Sequence, residues 1–324
     1  MAYQSYVELV DEKYPSLKGI WEENWEKGNV EQNSELIVST FDYLHIFEHE
    51  FEKAYDGEKQ IIDGFNKRLN SLWAVPFRMY HCFYSMTLNE SRYMNTRTCK
   101  GLDNRNSTYK AVLWLHARCL QAFREIECLM RGGFPDGAFA RWRTMLELFV
   151  FAKFIKKYGE KVADAYLTDI ESNNTSHEWA SNASVFEGKK NISLNMVIND
   201  ALEGDSDKET FLTLYKLSNR IIHADVKMTF FRIGSIMPSN IMNVGPSNYG
   251  MEMAGINAMV IMGRMNEVLF SFDNTTKQVL FAQNSFIREA EQEFIRVFRS
   301  FDGSVKIQLT DHTAIAGTIN QPKF

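Results

Sequence analysis

Apolar residues recur at helical spacing through most of this chain, and the breaks between the runs are short and polar. Up to about residue 95 the pattern predicts amphipathic helices joined by WEENWEKGNV and YDGEKQ, an N-terminal helical layer assigned to 1–106. From Ser107 the run STYKAVLWLHARCLQAFREIECLMR predicts a long helix that stops at Gly132-Gly133, where a left-handed C-cap costs glycine little. GGFPDG is then a compact turn, and Asp136 is the expected cap of a helix over about 136–158, completing a helical hairpin. A more polar helix and loop begin at EKVADAYLTD. Farther on, DKETFLTLYKLSNRIIHA predicts a helix over about 206–224, capped by Ser206 or Asp205.

The period changes at Met228. Short apolar runs punctuated by Gly and Pro, MTFFRIG and SNIMNVGPS, suit a small hairpin or ordered loop inserted near 228–248. Two more helices are expected over about 249–272 and 275–301, and the tail 302–324 alternates like an edge strand. The expected fold class is all-α with minor β structure, the N-terminal layer packing on a helical core at 107–301. The helix MEMAGINAMVIMGRM reads as a buried core helix, with a subunit interface as the alternative. Aromatic pairs such as Trp21 with Trp25, Phe77 with Tyr80 and Phe149 with Phe151 are read as core packing.

Composition narrows the functional classes. With 324 residues, only 6 Pro and a net charge of −5, the chain is neither disordered nor coated with cations for general nucleic-acid binding, although a local basic groove is compatible with an acidic average. Cys82, Cys99, Cys119 and Cys128 form no CxxC pair, which fits free thiols in a reducing cytoplasm. No run is apolar enough to span a bilayer, so a cytoplasmic protein without membrane contact is expected. No Walker loop, dinucleotide glycine fingerprint or serine nucleophile elbow is present, and no cofactor is expected.

Three constellations carry candidate chemistry. In ARWRTMLELFVFAKFI only Glu147 and Lys153 are charged between Met145 and Ile155, so Glu147 is expected to be buried, with Arg143 one turn earlier as its partner. That pair is either an internal device that sets helix packing or part of a polar site. At the end of the 206–224 helix, Asn219, Arg220 and His223 are spaced to converge on one face. A histidine there moves a proton, an arginine steadies an oxyanion and an asparagine orients either; the alternative is a histidine capping the helix end. His45-Ile46-Phe47-Glu48-His49 satisfies an inverted zinc-peptidase spacing, with Glu125 among the acids available as a third ligand, but neighbouring Glu50 and Glu52 favour a solvated helix face, and no metal is assigned.

Leu217-Ser218-Asn219-Arg220-Ile221-Ile222-His223 resembles the signature turn of the HEPN superfamily, all-helical bacterial domains in which Arg-Asn, three residues and then His close the last long helix. The helix from Arg143 to Glu147 after GGFPDGAFARW is similar to that of an uncharacterised HEPN-related bacterial family. The resemblance covers about 107–225. It implies a HEPN-like helical core and a metal-independent RNA-cleaving or RNA-binding effector of a phage-defence or toxin system. Such an effector works as a homodimer or in a complex with a second defence or antitoxin protein. His223 would then be the acid or base, beside Asn219, with Arg220, Arg143 and Glu147 lining the pocket. Ser218 stands where the family has arginine, and Arg220, Arg143 or Arg141 would have to supply that charge. The alternative is a non-catalytic binding or assembly protein in which Arg143–Glu147 and Asn219–His223 are a buried network.

Overall fold

A computed structural model describes residues 12, 15, 55–101, 106–169, 177–189, 191–223, 225, 245–273 and 276–302. The chain divides into two compact units, Met1–Lys67 and Arg68–Phe324. The first unit's described residues are few, and His45, Glu48, His49, Trp21 and Trp25 lie outside them. Residues 55–72 are helical. The division by contacts thus comes earlier in the chain than the boundary read from sequence at 106.

The second unit is all-α among its described residues. Its helices are α1 Ala74–Gly101, α2 Ser107–Arg131, α3 Pro135–Tyr158, α4 Glu160–Thr168, α5 Leu194–Ala201, α6 Lys208–Ile222, α7 Met251–Phe270 and α8 Lys277–Asp302. Short 3₁₀ turns at Glu178–Asn182 and Ser184–Phe186 follow α4. The hairpin or loop expected at 228–248 and the tail strand fall almost wholly outside the described residues. Residues 245–248 form no strand.

The α2–α3 hairpin is the most extensive contact, and α7 packs against α1, α2, α3 and α8. Sequence dictates that central place: α7 carries Met, Ile, Ala and Gly with few charges, so it is buried on nearly every side. Each large apolar side chain fully removed from water there contributes about 1.5–3 kcal/mol. The Met-rich helix is therefore a core helix. Its small residues set the approach of α8, for a Cβ on Gly255 would stand 2.4 Å from the Phe294 ring and one on Gly263 2.6 Å from Ile287. Phe77, Tyr80 and Phe149 are buried, as the aromatic spacing implied, and Trp142 donates its indole N–H to the Asn257 carbonyl at 3.0 Å.

Helix ends differ in detail from the expected caps. Phe134 is the N-cap of α3, with Pro135 in the first turn, so Asp136 lies one step inside the helix and contributes its charge there instead of a cap. At the end of α2 it is Gly133, at φ 82°, that turns left-handed, while Gly132 stays helical at φ −78°. Asp207 is the N-cap of α6 and makes no side-chain cap bond. Asp205 instead accepts the Asp207 N–H at 3.1 Å while holding Lys153 of α3 at 2.5 Å and Arg264 of α7 at 2.7 Å. The orphan amides at the start of α2 are met twice over, by Asn106 and by the Glu160 carboxylate, which accepts from the Ser107 and Thr108 amides at 2.8 and 3.2 Å.

Candidate functional site

Packing of α6 on α3 builds the site. Helix α6 buries Phe211, Leu214, Tyr215, Leu217 and Ser218, an apolar stripe produced by its helical period. Tyr215 carries a hydroxyl into this face, and the hydroxyl donates to Glu147 Oε1 at 3.0 Å. The same carboxylate oxygen accepts from Arg143 Nε at 2.9 Å, and the Arg143 guanidinium lies 4.9 Å from the centre of the Tyr215 ring. The three side chains form a closed group in which each contacts the other two. Burial raises the Tyr215 phenol above its ordinary pKa, and the Glu147 carboxylate beside it adds to the rise.

Glu147 is not sealed in the core. Its side chain is 26% exposed and that of Arg143 27%. One helical helix face can be apolar enough to imply full enclosure and still open at a single edge, and the pair sits at that edge. Lys153, the other charge in the stretch, meets Asp205.

The end of α6 is less convergent than its spacing implied. His223 is the C-cap residue and is exposed, its backbone N–H bonded to the Asn219 carbonyl at 2.9 Å. Arg220 turns to Asp225, donating from Nη2 at 3.0 Å, and does not accompany the imidazole. Asn219 is half-buried, with an Oδ1 shielded from solvent that has no hydrogen-bond partner among the described residues. Tyr215, Asn219 and His223 follow one another at four-residue intervals, a stripe about 12 Å long at helical rise. The closed Arg143–Glu147–Tyr215 group thus stands at the inner end of the stripe and the open imidazole at the outer end.

Ser218, which occupies the arginine position of the resemblance, is wholly buried. A long cation there would have to displace packed neighbours. Arg141 and Glu125 are also engaged: Glu125 is bound by Arg141 and, at 3.0 Å, by Arg118, and the Arg141 contact leads the forces that hold the Glu125 carboxyl below its usual range. No group of three or more His, Cys, Asp or Glu suited to a metal occurs among the described residues. No helix among them is long and apolar enough to cross a membrane.

Tyr215 is the residue that sequence reasoning missed. Its signal was present, four residues before Asn219 on the same face, but a tyrosine at a core-facing position reads first as packing.

Residues 109–235 match a family of unknown function, DUF5677. That match takes in α3, α6 and every residue of the stripe. No curated protein and no solved structure matches the chain.

Proposed function

We propose that this protein is a HEPN-like, RNA-directed effector of a bacterial phage-defence or toxin system, acting without a metal in the cytoplasm as a homodimer or with a second defence or antitoxin protein. The observation that carries the reading is the exposed imidazole of His223 at the C-terminal end of α6, in line with Asn219 and Tyr215. In the reaction, a ribose 2′-oxygen attacks the adjacent phosphorus and the bond to the 5′-oxygen breaks. His223 takes the hydroxyl proton or returns one to the leaving oxygen, and the products end in a cyclic phosphate and a 5′-hydroxyl. Asn219 orients the imidazole or a ribose hydroxyl. Arg143, at the other end of the stripe, would hold a neighbouring phosphate of the strand and not the one that reacts, and only once that phosphate competes with Glu147 for its guanidinium.

A second reading, an assembly protein without catalysis, is favoured by one fact: Arg143 and Arg220 are each already bound to a carboxylate. RNA incubated with the protein in EDTA distinguishes them. The effector reading expects cyclic-phosphate products that disappear in His223→Ala, a variant whose exposed site predicts an unchanged melting temperature. Cleavage that persists in the folded variant sinks the assignment of His223, and neither cleavage nor RNA binding by the wild-type protein leaves the assembly reading.

A further inference from the structure

A second polar centre lies on α1 and α2. Glu127, near the end of α2, is only 1% exposed, yet it is a carboxylate. Three basic groups close over it. Arg124 binds Oε2, Arg131 Nε donates to Oε1 at 2.9 Å, and His81 Nδ1, from α1, lies 3.4 Å from Oε2. Their side chains stay 41–48% exposed, so one sealed anion holds two guanidiniums and an imidazole at the surface. Each guanidinium also rests on an aromatic ring, Arg124 at 5.6 Å from the Tyr84 centroid and Arg131 at 4.7 Å from that of Phe77. Burial first, and the nearby Glu127 charge second, push the neighbouring Tyr80 phenol well above its ordinary pKa, so Tyr80 stays neutral and does not offset the cations.

Charge arithmetic at this centre leaves an excess. Two arginines against one glutamate is a surplus of one positive charge. Arginine has five N–H donors, and few of them are used on Glu127. Directly beside Arg124 a groove of about 650 Å³ runs between α1 and α2, lined by Tyr84, Leu120, Arg124, Cys128 and Leu129, and by Glu125, whose charge is already matched by Arg118 and Arg141. Its size lies within the range of small-molecule sites, and most of its lining is apolar.

We propose that this centre binds a nucleoside phosphate, with the phosphate on the free N–H groups of Arg124 and Arg131 and the base in the groove against Tyr84. The cations converge on one carboxylate and so form a point of charge, which fits one phosphate better than the spread charges of an acidic helix. The adjoining apolar groove suits a flat, weakly polar ring. Glu127 is a positioning residue: it fixes the two guanidiniums, whose planar forks then present pre-aligned donors. The site is separate from the α3–α6 stripe and stands or falls independently of the function proposed above.

Cys128 is exposed in the groove and reports its occupancy. The experiment is alkylation of the full chain with iodoacetamide, read at Cys128 by peptide mass, with ATP, AMP, inorganic phosphate or an acidic amphipathic peptide added. Saturating ATP or AMP is expected to slow Cys128 labelling about tenfold, and Arg131→Gln or Arg124→Gln to weaken that protection about tenfold or more, the loss expected for a charge-assisted contact. Tyr84→Ala is expected to weaken AMP while leaving calorimetric binding of inorganic phosphate unchanged. No protection by either nucleotide at about 5 mM, a concentration that detects even millimolar binding, overturns the proposal on the wild-type protein alone. Full protection in the folded arginine variants, or protection by the acidic peptide and not by nucleotides, overturns it as well.

Discussion

Two polar groups inside the same helical unit have opposite character. His116, Asn266, Thr87 and Gln283 lie at 0–1% exposure where α2, α7, α1 and α8 meet. His116 Nε2 and Asn266 Oδ1 are 2.7 Å apart, and Asn266 Nδ2 donates to Thr87 Oγ1 and Gln283 Oε1, each at 3.0 Å. Since Asn266 spends both amide protons elsewhere, the proton between it and His116 belongs to the imidazole. The Arg143–Glu147–Tyr215 group is equally well connected, but its ion pair is about a quarter exposed and carries full charges, with only Tyr215 buried. Where every member is buried the partners are neutral, because an uncompensated ion in the core is costly; an ion pair persists where at least one partner reaches water, as Arg143 and Glu147 do here and as the guanidiniums over sealed Glu127 do. The sealed group therefore serves stability, and the open one retains groups that a ligand can compete for.

The largest test of this contrast is Asn266→Ala. It removes the hub of the sealed network, leaves three buried partners unpaired and opens a cavity, so a loss of about 3–5 kcal/mol in urea unfolding is expected. A loss under about 1 kcal/mol would show that the network adds little beyond packing.

Acid provides the second test. Burial lowers the His116 pKa to about 4, with the Asn266 hydrogen bond opposing the shift. Between that value and 6.5 the unfolded chain binds a proton that the folded one refuses. Stability from this residue is thus complete above pH 6.5 and falls as pH drops toward 4, by about 3 kcal/mol in total. Urea midpoints at pH 7, 5.5 and 4.5 should decline accordingly, and His116→Gln should remove that part of the decline. An unchanged pH profile in the variant would mean that the imidazole meets water or a compensating group.

Smaller effects are expected at the open site. Tyr215→Phe removes one hydrogen bond to a carboxylate that keeps Arg143, and about 0.5–1.5 kcal/mol is expected by thermal unfolding. Arg220→Ala, at an exposed ion pair, should leave the midpoint unchanged within error. A Tyr215→Phe loss as large as that of Asn266→Ala would erase the distinction between the two groups.

Much of this was legible in the linear chain. The all-helical class, the α2–α3 hairpin, the Met-rich core helix and the Arg143–Glu147 pair follow from apolar period, turn residues and four-residue spacing. The caps were less legible. Asp136 and Asp205 both looked like N-caps, but Pro135 starts α3 one residue earlier, and Asp205 is drawn to Lys153 and Arg264 from other helices. Arg220 was grouped with His223 by spacing, and a local carboxylate, Asp225, took it away. The Glu127 centre left a faint trace, Arg124 and Arg131 at helical offsets from Glu127, but nothing in α2 indicates that its carboxylate is sealed or that His81 reaches it.

By itself the sequence determined where the helices run and which faces they bury, because those properties depend on residues within a few positions of one another. Tertiary structure alone decided which polar groups are neutral and sealed, which are charged and open, and which partner each one takes. Asn266 meets Thr87 across 179 positions, and Tyr215 meets Glu147 across 68. Exposure and partnership of that kind arise only when separate helices pack, and they fix the local dielectric on which charge and reactivity depend.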